Sequence, residues 1–91
     1  MDFSEALRVC KTGGKITRDS WNAAGQYVVA QAGYPDGVMI NSNTAKATGF
    51  EEGTVCKFAP YLLLRNAQRI FVPWAPTQGD LFAWDWEVLD A

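Results

Sequence analysis

Tyr61-Leu62-Leu63-Leu64-Arg65-Asn66-Ala67-Gln68-Arg69-Ile70-Phe71-Val72-Pro73-Trp74 is the stretch on which the fold class turns. Two apolar, β-prone runs, Tyr61 to Arg65 and Arg69 to Val72, flank Asn66-Ala67-Gln68, a separation short enough for a hairpin. An antiparallel pair is therefore expected here, ended by Pro73, which cannot donate to a ladder. Working upstream, Val55 to Phe58 reads as another strand, separated from Tyr61 by Pro60. Further back, Gln26 to Ala30 and Lys15 to Arg18 read as strands on either side of a turn at Ala24-Gly25. Downstream, Thr77-x-x-Asp80 has the spacing of a capping box and starts a helical turn over Leu81-Phe82-Ala83, before a last strand over Asp85 to Leu89.

At the other end Phe3, Ala6, Leu7 and Cys10 fall at i, i+3, i+4 and i+7, one apolar stripe of a short helix. Asp2 and Glu5 have N-cap spacing, and Gly13-Gly14 stops the helix. Residues 33 to 54 read as mostly irregular chain. Tyr34-Pro35-Asp36-Gly37 is expected as a turn, and Asn43 as the cap of one helical turn over Thr44 to Ala47. An irregular stretch that long is usually functional or forms oligomers. The sum is an α+β fold: residues 1–91 as one small domain, with a mainly antiparallel sheet and two or three short helices.

Composition narrows the function. A chain of 91 residues that is 48% hydrophobic and 20% charged is a compact domain rather than a disordered tail. So short a chain buries only roughly 60–65% of its unfolded surface, which makes self-assembly an expectation from the outset. No apolar run reaches membrane-helix length, the longest being Phe58 to Leu64 with Pro60 inside it. The acidic start lacks the apolar core of a secretory signal, so a cytosolic protein is expected. A net charge of −2 is the wrong sign for a polymeric nucleic-acid partner. Without His the usual general base and the commonest metal ligand are both missing. Cys10 and Cys56 are too far apart for a CxxC motif and read as reduced thiols.

The motifs that suggest catalysis are weak. Gly13-Gly14-Lys15 lacks the first glycine and the Ser or Thr of a phosphate-binding loop, and reads as a helix stop. Asp80, Asp85, Glu87 and Asp90 read as solvated acids near a terminus. No nucleophile has a base, so neither enzyme activity nor a cofactor is expected.

Four tryptophans are the informative feature. Trp86, in an alternating strand, reads as core. Trp21 and Trp74 each sit at a break in regular structure beside short polar residues: Asn22 in one case, Thr77, Gln78 and Asp80 in the other. An indole among amide, hydroxyl and carboxylate groups suits a flat heteroaromatic ring and its ribose, and Arg18 and Arg65 suit phosphate. The residues leave this open against simple core packing.

The order of motifs resembles the Thoeris anti-defence protein 2 family, small bacteriophage proteins. The resemblance runs through Phe3-Ser4-Glu5-Ala6-Leu7, Arg18-x-x-Trp21-Asn22, Gly33-Tyr34-Pro35-Asp36-Gly37, Ile40-Asn41-x-Asn43-Thr44-Ala45, Glu52-Gly53-Thr54-Val55-Cys56-Lys57-Phe58, Val72-Pro73-Trp74, Gln78-x-Asp80 and Ala83-x-Asp85-Trp86-Glu87. Trp84 departs from the acidic residue more usual there, as Thr77 and Gly79 depart from Ser and Thr. The resemblance implies sequestration, without degradation, of the cyclic ADP-ribose isomers made by Thoeris TIR-domain proteins in the host bacterial cytoplasm, and for some relatives of cyclic di- or trinucleotide signals. It implies a homo-oligomer, typically a tetramer, with nucleotide pockets between protomers. Carried to this chain, the ligand residues would be Arg18, Trp21, Asn22, Arg65, Trp74, Thr77, Gln78 and Asp80. The competing expectations are a phage module that blocks a host protein directly and a nucleotide-hydrolysing enzyme.

Overall fold

Among the described residues, seven strands and three helices form a body and a projecting arm. The computed structural model describes residues 1–21 and 24–89. The elements run α1 (Phe3–Lys11), β1 (Lys15–Arg18), β2 (Tyr27–Gln31), β3 (Tyr34–Met39), α2 (Ser42–Thr48), β4 (Val55–Phe58), β5 (Tyr61–Arg65), β6 (Phe71–Pro73), α3 (Gln78–Phe82) and β7 (Trp86–Leu89). Five strands make the body sheet in the order β6-β5-β2-β1-β7, and β3 and β4 make a separate two-stranded sheet. The pairings are antiparallel. The α+β class and the mainly antiparallel sheet read from the sequence are what the chain forms.

The core follows from register. Ile16 pairs with Val28 and Val88, Val28 with Leu64, and Leu64 with Val72. Partners across a ladder point the same way, so this row lines one face. The α1 stripe lands on it: Phe3, Ala6 and Cys10 are buried against Ile16, Val28 and Trp86. Each large side chain so buried contributes about 1.5–3 kcal/mol. Asp2 caps α1 by accepting the Glu5 amide at 2.8 Å, and Gly13 turns the chain at φ 101°. The Tyr61–Trp74 stretch forms the expected hairpin with a longer loop. Asn66 Oδ1 accepts the amides of Gln68 and Ile70, each at 3.0 Å, and Arg69 is left-handed at φ 64°. That local bonding keeps Arg69 and Ile70 out of β6, which starts at Phe71.

Residues 33 to 54 differ most from expectation. Tyr34-Pro35-Asp36-Gly37 is not a free-standing turn; it lies within β3, where the register shifts between Tyr34 opposite Phe58 and Val38 opposite Cys56. Pro35 is tolerated because a two-stranded sheet is all edge, and Gly37 takes the φ of 104° that the irregularity needs. The cap of α2 is Asn41 rather than Asn43: its side chain accepts the Thr44 amide at 3.0 Å while its backbone stays extended. Gly49 ends α2 in the left-handed region.

Candidate functional site

Arg18, Thr77 and Asp80 meet at one end of the core face. The guanidinium donates from Nε to Asp85 Oδ1 at 2.8 Å and from Nη1 to Asp80 Oδ1 at 3.0 Å. The second oxygens are also taken, Asp85 Oδ2 by the Ser20 amide at 3.0 Å and Asp80 Oδ2 by the Thr77 amide at 2.9 Å. Thr77 Oγ1 returns the bond by accepting the Asp80 amide, so the capping box is complete. Hydrogen bonds from Ser20, then from Arg18, hold the Asp85 carboxyl far below the usual carboxylate range. Asp85 in turn pushes the Arg18 guanidinium up.

Beside this cluster Trp21, Trp74 and Trp86 meet edge to face. The ring centroids are 5.4 Å apart for Trp21–Trp86, 6.2 Å for Trp74–Trp86 and 6.3 Å for Trp21–Trp74. Phe3 joins Trp86 at 5.3 Å. Trp86 is buried, as its strand pattern implied, and its Nε1 donates to the Asp80 carbonyl at 2.9 Å. Trp21 and Trp74 are half-buried, packed on the core with part of each ring exposed. Gln78 is exposed on α3 next to the cap. Arg65 does not join the group. The register turns it to the opposite face, where it lies over the Tyr27 ring at 5.7 Å. Asn22 lies outside the described residues. Trp84 is 76% exposed, with Phe82 78% exposed close by in sequence; a cavity of about 230 Å³ opens there against Asp2, Phe3 and Ser4.

The larger cavity, about 360 Å³, is at the base of the arm, among Gln31, Tyr34, Met39, Asn41, Thr44 and Tyr61. Its size falls in the range of small-molecule sites, and aromatic, amide and hydroxyl groups mix in its wall. Sequence reasoning noticed Tyr34, Asn41 and Thr44 only as motif, turn and cap residues. The signal available was their clustering in a long glycine-rich segment. Among the described residues no three His, Cys, Asp or Glu side chains are arranged to hold a metal. No helix is long and apolar enough to cross a membrane.

A small α+β body carries an arm, a cavity at the arm's root and a tryptophan cluster over an arginine–carboxylate knot. Residues 1–89 match the family model of the Thoeris anti-defense 2-like domain, and the chain belongs to that Tad2-like family. It is 28% identical over 94 residues to Thoeris anti-defense 2 of Bacillus phage SP01, covering 98% of this chain and 94% of that protein. Membership supports a phage anti-defence role.

Proposed function

We propose that the chain captures cyclic ADP-ribose-type signalling nucleotides produced by Thoeris TIR-domain proteins and holds them unchanged, so that the signal never reaches its effector. The observation that carries this reading is the arm-base cavity, concave and lined by two tyrosines and several neutral polar groups, in a chain of this family. Sequestration requires tight binding: a nanomolar dissociation constant corresponds to about −12 kcal/mol. One ring stacked on an aromatic side chain supplies roughly 1–3 kcal/mol of that, so enclosure and hydrogen bonds to ribose and phosphate carry the remainder.

Tyr34 and Tyr61 are the proposed stacking groups, with Gln31, Asn41 and Thr44 as hydrogen-bonding partners. The exposed parts of Trp21 and Trp74, with Thr77 and Gln78, are the second surface for the same ligand. Arg18 and Asp80 are less available to it, because their polar atoms are already engaged with each other and with Thr77 and Asp85. Titration calorimetry with cyclic ADP-ribose isomers separates the two surfaces. Tyr34→Ala and Tyr61→Ala are expected to weaken binding about tenfold or more without lowering Tm, the loss of one stack. Full affinity in both, with loss in folded Trp21→Ala or Trp74→Ala, would move the site to the tryptophans. Heat denaturation of the loaded protein is expected to return the input nucleotide intact; conversion to ADP-ribose would reject sequestration. A direct block of a host protein is the second reading, favoured by the exposed Phe82 and Trp84. It predicts no depletion of nucleotide from solution.

A further inference from the structure

The cavity at the base of the arm runs into the sheet face opposite α1. Parity along β2 puts Tyr27, Val29 and Gln31 on that face, with Arg65, Leu63 and Tyr61 of β5 as their cross-strand partners. Gln31 and Tyr61 close one end of this row and belong to the cavity wall. Tyr27 and Arg65 close the other end, four residues along each strand, or roughly 13 Å away. Half-buried Val29 and Leu63 floor the stretch between.

The two ends differ in charge. Among the described residues the cavity wall carries no Lys, Arg, Asp or Glu; its polar side chains are amides and hydroxyls. Asn41 Oδ1 is already taken by the Thr44 amide at 3.0 Å, which leaves the Nδ2 donors for an acceptor on a ligand. At the far end Lys15 joins from β1. Its Nζ lies 4.9 Å from the centre of the Tyr27 ring, and the Arg65 guanidinium carbon lies 5.7 Å from the same centre. Both side chains are half-buried, and among the described residues neither is paired with a carboxylate. Two cations held against one ring repel each other more strongly there than in open water, and an anion beside them relieves the repulsion.

Cyclic ADP-ribose divides in the same way. Its adenosine part is flat-ringed, uncharged and rich in hydrogen-bond acceptors, whereas its pyrophosphate carries two negative charges. Pyrophosphate placed in the neutral cavity would lose water and find no cation in exchange. We propose that the cavity and the cation pair are two halves of one site: the uncharged nucleoside seats against Tyr34, Tyr61 and Asn41, and the phosphates run out along the Val29–Leu63 floor to Lys15 and Arg65. This rests on the capture reading and deepens it. The phosphate contacts pass to Lys15 and Arg65 rather than to Arg18, whose Nε and Nη1 already hold Asp85 and Asp80.

Titration calorimetry with adenosine and with cyclic ADP-ribose, at low and at roughly tenfold higher sodium chloride, separates the halves. Adenosine is expected to bind the wild-type chain at an affinity that salt leaves unchanged. Cyclic ADP-ribose is expected to bind more tightly and to lose affinity as salt rises. Lys15→Gln/Arg65→Gln, with its circular dichroism unchanged, is expected to weaken cyclic ADP-ribose roughly tenfold or more, flatten its salt response and leave adenosine binding as it was. Lys15→Gln alone is expected to do the same in smaller measure, and replaces the double variant if that does not fold. Asn41→Asp keeps the cap of α2 but brings a negative charge to the cavity, and is expected to weaken both ligands. A folded Lys15→Gln/Arg65→Gln chain with wild-type affinity and salt response for cyclic ADP-ribose would overturn the two-part site while leaving capture in place. Loss of adenosine binding in that variant, or full adenosine affinity in Asn41→Asp, would overturn it as well. A wild-type chain that binds no cyclic ADP-ribose rejects capture itself, and the two-part site with it.

Discussion

At Asp80 one side chain carries two readings in sequence. Thr77-x-x-Asp80 is legible as a cap, and the same carboxylate is chemically suited to a ribose hydroxyl. The fold closes the capping box and then adds Arg18, a partner 62 positions away that no local pattern reveals. Asp80→Asn keeps the shape but weakens the bond to Arg18, and is expected to cost about 1–3 kcal/mol, read as a lower Tm at unchanged nucleotide affinity. Asp85 carries the acid sensitivity. Its folded carboxyl titrates below its unfolded one, so its contribution is fully present above the unfolded value and is lost as acid lowers the pH through the folded value. Stability is therefore expected to be flat from about pH 5 to 8 on this account and to fall below about pH 4. Denaturant midpoints of Asp85→Asn should show a shallower acid limb. Trp86→Ala removes the buried centre of the aromatic cluster and is expected to cost about 3–5 kcal/mol; Trp84→Ala, at a three-quarters exposed ring, is expected to leave Tm nearly unchanged.

Elements whose pattern is carried by their own residues were readable one at a time. The α1 stripe, its Asp2 cap and the β5–β6 hairpin are local signals, and each forms close to where the pattern puts it. β3 was not readable, because Pro35, Asp36 and Gly37 are strand-averse and it is the pairing of Tyr34, Val38 and Met39 with β4, across α2, that holds the segment in a strand. Glycines expose how the arm is rooted. Gly33 has φ 72°, and a Cβ there would meet the Phe58 carbonyl oxygen at 2.5 Å. Gly33→Ala is accordingly expected to loosen the arm base, with faster amide exchange across β3 and β4 while the body sheet stays protected. Asn41→Ala is expected to cost α2 about 1 kcal/mol. That loss would appear as local exchange in residues 42 to 48, because α2 buries nothing that ties it to the body.

At the level of the molecule, body and arm are built on separate sheets. The cavity of about 360 Å³ lies where they meet, and no single element contains it. The class of fold, the apolar stripe of α1 and the core role of Trp86 were in the linear chain, because periodicity, capping and composition are properties of neighbours in sequence. The Arg18–Asp80–Asp85 knot, the turning of Arg65 onto the face away from Arg18, and the gathering of Gln31, Tyr34, Asn41 and Tyr61 around one cavity were not. Those depend on which strands become neighbours and on which face each residue falls. Strand parity reverses with a shift of one residue, and β2 neighbours β5 across 29 intervening residues, so long-range pairing alone assigns them.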